Sequence, residues 1–185
     1  MKTSMMTLAN KFQSRPASLA DVPAIVDLRN ASSRSTRETD VTAVFIQNSI
    51  FDSAYFNSPG LCFVAWDGDE VAGLCLCNAT TFEYPEAGYL GSLSVRRRWQ
   101  KLGLGRALTL HALRAFYDRG TSHVLTETDG DGFTKAFRVY EKTGMAIFRR
   151  EFVFEKAIRP GRDLLKRYDE DLEFTYCGDD AFWRD

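Results

Sequence analysis

Hydrophobic and polar positions change period several times along the chain, and each change marks an element. Phe12 to Ala17 reads as a short strand. Ser18-Leu19-Ala20-Asp21 has the spacing of a capping box, with a hydroxyl at the N-cap and an acid three residues later. Val22, Ile25, Val26 and Leu28 then recur at helical spacing to about Asn30, with Pro23 tolerated in the first turn. Beyond the polar stretch Ser32–Asp40, a second helix is expected through Val41, Val44, Phe45 and Asn48. Leu61–Trp66 and Glu70–Ala79 are strand-like runs joined by Asp67-Gly68-Asp69, which predicts a β-hairpin. A loop around Pro85–Gly88 leads into a third strand, Tyr89–Val95. From Gly103 to Arg119 the period is helical again, with Leu104, Ala107, Leu108, Ala112, Ala115 and Phe116 on one side and Gly120 at the C-terminal cap. Ser122–Glu127 reads as a strand, about Thr134 to Gly144 as a helix, and Ala146–Ala157 as one or two closing strands. The result is a mixed α/β (α+β) order with two strand–helix–strand units after residue 89.

Composition narrows the class. The 185 residues are 44% hydrophobic and 26% charged, the balance of a soluble single domain that needs no disulfide or structural metal. A formal net charge of −1 supplies no basic field for nucleic acid or an anionic membrane, so neither is an expected partner. No apolar run at the start reads as a secretion signal and none is long enough for a membrane span, which predicts a cytoplasmic protein with reduced thiols. Of the four cysteines, Cys75 and Cys77 lie in an apolar run as core filler, and the spacing fits no common zinc site, so no metal is expected. Asp169-Glu170-Asp171 and Asp179-Asp180 mark a solvated C-terminal extension, residues 159–185, which Phe182 and Trp183 could dock.

The chemistry concentrates in Leu93-Ser94-Val95-Arg96-Arg97-Arg98-Trp99-Gln100-Lys101-Leu102-Gly103-Leu104-Gly105-Arg106, where a strand enters a basic loop and the loop opens a helix. A helix start presents unpaired N–H groups and a partial positive charge, both suited to phosphate. Gly103 and Gly105 let backbone donors approach a ligand, and the surrounding Arg and Lys residues add cations. A Gly-x-Gly at a helix start is weak by itself and often only permits a turn. Neither the GxxxxGK[ST] loop nor a third dinucleotide-type glycine is present, which argues against nucleotide phosphoryl transfer.

Gln100-Lys101-Leu102-Gly103-Leu104-Gly105 resembles the Q/R-x-x-G-x-G/A pyrophosphate loop of the Gcn5-related N-acetyltransferases. Tyr140-Glu141-Lys142-Thr143-Gly144-Met145 resembles that family's L-Y-x-x-x-G-F ending, with Met145 in place of Phe. The two motifs follow in the family's order, and the likeness covers residues 12–158; the stretch from Arg138 to Lys156 is most similar to mycothiol-synthase-like members. The resemblance implies one domain with a mixed, mostly antiparallel sheet of about six or seven strands, flanked by helices and splayed between strands four and five. It implies acetyl-coenzyme A as cofactor and a primary amine of a small molecule or peptide as acceptor, attacked directly in a ternary complex, with a homodimer as a possible assembly.

Carried over residue by residue, Leu93, Ser94 and Val95 would hold the pantetheine arm through backbone groups. Gln100, Lys101, Leu102, Gly103, Leu104, Gly105 and Arg106 would hold the pyrophosphate. Phe133 stands where the family commonly has an Asn, seven residues before the helix tyrosine, and with Lys135 it falls on the cofactor loop without that Asn's hydrogen bond. Tyr140 matches the general acid for the leaving thiolate, a role a phenol of pKa about 10 can fill for a thiol of about 8.5. Packing on an amphipathic helix is the plainer role for the same ring. Glu127 and Glu83 are the candidate bases. Loops Arg29–Asp40, Ala54–Gly60 and Thr80–Gly88 mix aromatic and acidic groups that suit a cationic, partly apolar amine. A non-catalytic coenzyme A-binding or interaction module of the same fold is the alternative.

Overall fold

The computed structural model describes residues 12–33, 40–52, 59–128 and 136–151. The chain divides into two units, Met1–Ala146 and Ile147–Asp185. The second is described only over residues 147–151, where Arg149 pairs with Glu151 at 2.7 Å.

The first unit is built on one sheet in the order β1-β2-β3-β4-β5: β1 Gln13–Pro16, β2 Phe63–Asp67, β3 Glu70–Asn78, β4 Ala87–Val95 and β5 His123–Leu125. The first three pairings are antiparallel and β4–β5 is parallel. The helices are α1 Val22–Ser33, α2 Ala43–Gln47, α3 Leu104–Asp118 and α4 Phe137–Glu141. This is the expected mixed, mostly antiparallel sheet, with five strands among the described residues. Of the closing strands expected over Ala146–Ala157, residues 146–151 carry none, and the rest lie outside the described residues.

Each face of the sheet buries its own core. Ile25 and Leu28 of α1, with Ile46 of α2, pack on Val64, Val71 and Leu74. Leu104, Leu108, Ala112 and Phe116 of α3 pack with Phe63, Cys75, Leu90, Trp99 and Tyr140 on the other face. Covered on both sides, β3 reads as a continuous apolar run rather than an alternation. Its Cys75 and Cys77 are fully buried with Cys62 beside them, and burial pushes the Cys62 thiol up to about 12. These thiols are core filler.

The acid of the predicted capping box is in place and does more than cap. Buried Asp21 accepts two hydrogen bonds from Arg15 at 2.7 Å, and one each from the Ser18 N–H and Oγ. Arg15 first, and the Ser18 donors with it, hold the Asp21 carboxyl below its ordinary pKa against the opposing effect of burial. The Arg15–Asp21 pair ties the edge strand β1 to the start of α1.

The placement of α3 is set by small residues on the sheet beneath it. A Cβ at Gly88 would lie 2.3 Å from Phe116 Cε1, and one at Gly73 would lie 3.1 Å from Leu108 Cδ1. The helix therefore sits against β3 and β4 at a distance that a side chain at Gly88 would forbid. Gly88→Ala is expected to lower stability by about 1–3 kcal/mol in urea unfolding, the usual cost of overpacking. Adding Phe116→Leu should recover part of that loss. A Gly88→Ala protein as stable as the parent would contradict this packing.

Candidate active site

β4 and β5 run together only briefly. Ala87, Gly88 and Tyr89 pair with His123, Val124 and Leu125, and Thr126 Oγ1 then donates to the Leu90 carbonyl at 2.8 Å. At that point β4 bulges: Leu76 faces Ser92 and Cys77 faces Leu90, so Gly91 is an extra residue in its strand. Beyond it β4 continues to Val95, with no strand on its outer edge among the described residues. The β4–β5 pairing thus ends at Tyr89 and Leu125, β5 is shorter than the expected Ser122–Glu127, and the rest of β4 presents an open edge.

Beside this open edge lies the start of α3. Gly103 is its N-cap, at φ 87° in the left-handed region, and makes no side-chain cap. Ala107 N–H is the first to bond back, to the Gly103 carbonyl at 3.0 Å, so the earlier amides of the helix point outward as donors. Lys101, at φ 62°, is also left-handed, so the loop turns its backbone sharply twice before the helix begins. Gly105 lies where three elements meet. A Cβ there would stand 3.8 Å from Leu93 Cδ2 and Val95 Cγ2, and 4.0 Å from Val139 Cγ1 of α4.

The basic residues of the loop do not act as one set. Arg96 pairs with Asp27 and Glu70 and donates to the Val71 carbonyl. Arg98 pairs with Glu70 at 2.5 Å and stacks over Trp99 at 3.7 Å. Of the cations the sequence places here, Arg96 and Arg98 are paired with acids brought in from α1 and the hairpin. Arg97, Lys101 and Arg106 are exposed, and no ion pair is seen for them among the described residues. Gln100 Nε2 donates to the Val95 carbonyl at 2.9 Å, closing the last acceptor of the strand.

Tyr140 sits on α4, 8% exposed, within the α3-side core. The Gly144 N–H bonds the Glu141 carbonyl and the Met145 N–H bonds the Tyr140 carbonyl, a Schellman ending that fixes the turn carrying the tyrosine. Glu127 is exposed just beyond β5. Tyr89 joins these two, although no sequence motif marks it. Its ring lies over Gly91, 3.3 Å from where a Cβ would be, and its pKa is raised by burial first and then by the charges of Glu127 and Tyr140. Glu127 and Tyr140 are thus both within electrostatic reach of Tyr89, at the end of the β4–β5 pairing. The signal available in the sequence is a tyrosine at the head of the third strand. Glu83 is exposed on the loop before β4, whose turn is held by Thr80 and Thr81. Phe133, Lys135 and the loop segments 34–39 and 53–58 lie outside the described residues.

A split between two parallel strands, ending at an uncapped helix, is what the sequence motifs suggest, and a sequence model described as the Acetyltransferase (GNAT) family matches residues 22–145. The chain belongs to this family. N-alpha-acetyltransferase 30 of Xenopus laevis is 30% identical over 107 residues, covering 56% of the chain and 39% of that protein. Mycothiol acetyltransferase of Rhodococcus erythropolis is 26% identical over 168 residues, covering 78% of the chain and 56% of the relative. The chain spans only 29–39% of the length of the vertebrate N-alpha-acetyltransferase 30 relatives it matches. Among solved structures, the NatC complex bound to Gag peptide and CoA is similar at TM-score 0.61 and 17% identity, over 76% of this chain and 87% of that one. A GCN5-related N-acetyltransferase from Sphaerobacter thermophilus is similar at TM-score 0.59 and 24% identity, over 74% and 41%. Both likenesses speak for the GNAT fold.

The two loop glycines have different jobs, and stability separates them. Gly103→Ala forces a side chain into a left-handed backbone and should cost about 1 kcal/mol. Gly105→Ala places a methyl at ordinary contact distances within a helix and should stabilise by up to about 1 kcal/mol. Chemical unfolding of both variants checks this contrast; equal effects would mean the loop geometry is misread.

Proposed function

We propose that the chain is an acetyl-coenzyme A-dependent N-acetyltransferase that acts on a primary amine of a small molecule or peptide. The observation that carries this reading is the continuous line from the open edge of β4 to the uncapped start of α3, with Gly105 in the crook. Those residues fit the cofactor: unpaired helix amides and Arg97, Lys101 and Arg106 suit a pyrophosphate, and the free strand edge suits an amide-bearing arm. Bound acetyl-coenzyme A would supply an activated acetyl thioester.

The chain's own residues do the rest. Backbone groups of Leu93, Ser94 and Val95 orient the arm by strand-like hydrogen bonds, as a sheet edge does for an added strand. Gln100 shares the Val95 carbonyl, which has a second lone pair for another donor. Tyr140 holds the proton given up to the departing thiolate. Glu127 takes the proton from the amine, with Glu83 as the alternative base, and Tyr89 stays a neutral phenol that can relay it. The acceptor enters from the side of α1, where Arg29 donates to Ser92 Oγ of β4 at 2.7 Å. The names of the relatives, an N-alpha-acetyltransferase and a mycothiol acetyltransferase, support an amine acceptor of either peptide or small-molecule type. A coenzyme A-binding module without catalysis is the second reading, favoured by how deeply Tyr140 is packed.

Thermal shift with coenzyme A, followed by a thiol-release assay over a panel of amines, separates the two. Stabilisation of about 3 kcal/mol is expected at a hundredfold excess of ligand over Kd. Gly105→Val, which carries atoms further toward the open edge of β4 than Ala does, should weaken binding by at least about tenfold. No stabilisation by coenzyme A would overturn the cofactor assignment, and binding without thiol release for any amine would favour the module.

Tyr140→Phe keeps the ring in the core and removes only the proton. kcat is expected to fall about tenfold to a thousandfold with cofactor affinity unchanged, since a positioned acid contributes about a hundredfold or more. An unchanged kcat, on an amine for which chemistry limits the rate, would make Tyr140 a packing residue.

A further inference from the structure

The tip of the β2–β3 hairpin lies in neither core, yet two of its three acids, Asp67 and Glu70, make specific bonds to the loop that precedes α3. Asp67 Oδ2 accepts from the indole N–H of Trp99 at 2.8 Å. Glu70 accepts from Arg98 at 2.5 Å and lies 3.7 Å from Arg96 Nε, while Arg96 also donates to the Val71 carbonyl at 3.0 Å. Trp99 is 3% exposed and shares the α3-side core with Leu104 and Leu108. The helical turn Arg97–Trp99 is therefore held from both sides, by the core beneath Trp99 and by the hairpin on its polar atoms.

We propose that Asp67 and Glu70 are positioning residues for cofactor binding, setting the turn so that Arg97 and Lys101 face outward with the α3 amides. The inference rests on the cofactor site proposed above. Its physical content is a division of charge. Asp27 of α1 pairs with Arg96 and Glu70 of the hairpin pairs with Arg98, which fixes the chain on either side of Arg97 and leaves Arg97 as the member of the triplet free for a phosphate. The two acids contribute unequally. Glu70 and Arg98 are 42% and 60% exposed, and such pairs are worth little in water. The Trp99–Asp67 bond carries more, because its donor belongs to a buried ring and its acceptor is charged.

Asp67→Ala, Asp67→Asn and Glu70→Gln in the full chain test this, by coenzyme A titration, steady-state kinetics and amide hydrogen exchange. Asp67→Ala is expected to raise Kd and KM for the cofactor about three- to tenfold with kcat kept at saturation. Exchange should quicken at residues 97–105 and not at 108–116 in the body of α3. Asp67→Asn, which keeps an acceptor for the indole, should restore most of the affinity. Glu70→Gln, at an exposed site that folding tolerates, should cost about two- to threefold. Unchanged affinity and exchange in Asp67→Ala would overturn the inference, and so would faster exchange throughout α3, which marks a general loss of stability. If the parent protein itself binds no coenzyme A, the cofactor reading fails and this inference with it. A failure of the hairpin's role alone leaves parental binding intact.

Discussion

Backbone N–H and C=O groups must be satisfied, and the second half of β4 has no strand on its outer edge, among the described residues, to satisfy them. That constraint organises the molecule. The β4–β5 pairing ends just before the bulge at Gly91, and the Thr126 hydroxyl takes the Leu90 carbonyl there. Past the bulge runs a row of strand-edge groups that solvent or a ligand must complete. Gln100 already completes one of them at Val95. An open edge is a hazard in a sheet built for itself, and a binding surface in one whose neighbouring helix aims its own unpaired donors at the same place.

The neighbouring helix is α3, and its aim is a packing result. Phe116 occupies the space a side chain at Gly88 would need, and Leu108 lies close over Gly73. With the body of the helix fixed on β3 and β4, its start falls beside Leu93 and Val95. The loop connecting strand to helix then has little freedom, and it accepts left-handed backbone at Lys101 and Gly103 to make the turn. Trp99 under the loop and the hairpin acids above it remove what freedom is left. Core, hairpin and helix cap thus converge on a few residues whose own side chains contribute little.

Much of this is legible in the sequence where a local rule applies. From β1 to the helix carrying Tyr140, the strands and helices fall within a few residues of their expected places, because alternation, helical period and C-terminal glycines are local signals, whereas the closing strands expected over Ala146–Ala157 are not among the described residues. The GNAT resemblance rests on two short motifs, and Tyr140 and Gly105 both prove to lie along the α3 side of β4, as their order implies. The illegible part depends on contacts distant in the chain. Nothing in Arg96-Arg97-Arg98 distinguishes the middle residue from its neighbours until Asp27 and Glu70 are brought beside the outer two. Tyr89 has no signature until β5 carries Glu127 past it. Gly88 reads as part of a loop, and its close contact with Phe116 exists only in the fold.

If one cleft, from the open edge of β4 to the start of α3, holds the cofactor, a crystal structure of the chain with coenzyme A tests it most directly. The pyrophosphate is expected within hydrogen-bond distance of the backbone amides between Lys101 and Arg106, with the arm along Leu93–Val95 and the thiol near Tyr140. Coenzyme A bound elsewhere on the chain, or across the cleft with its phosphates away from α3, would contradict the account.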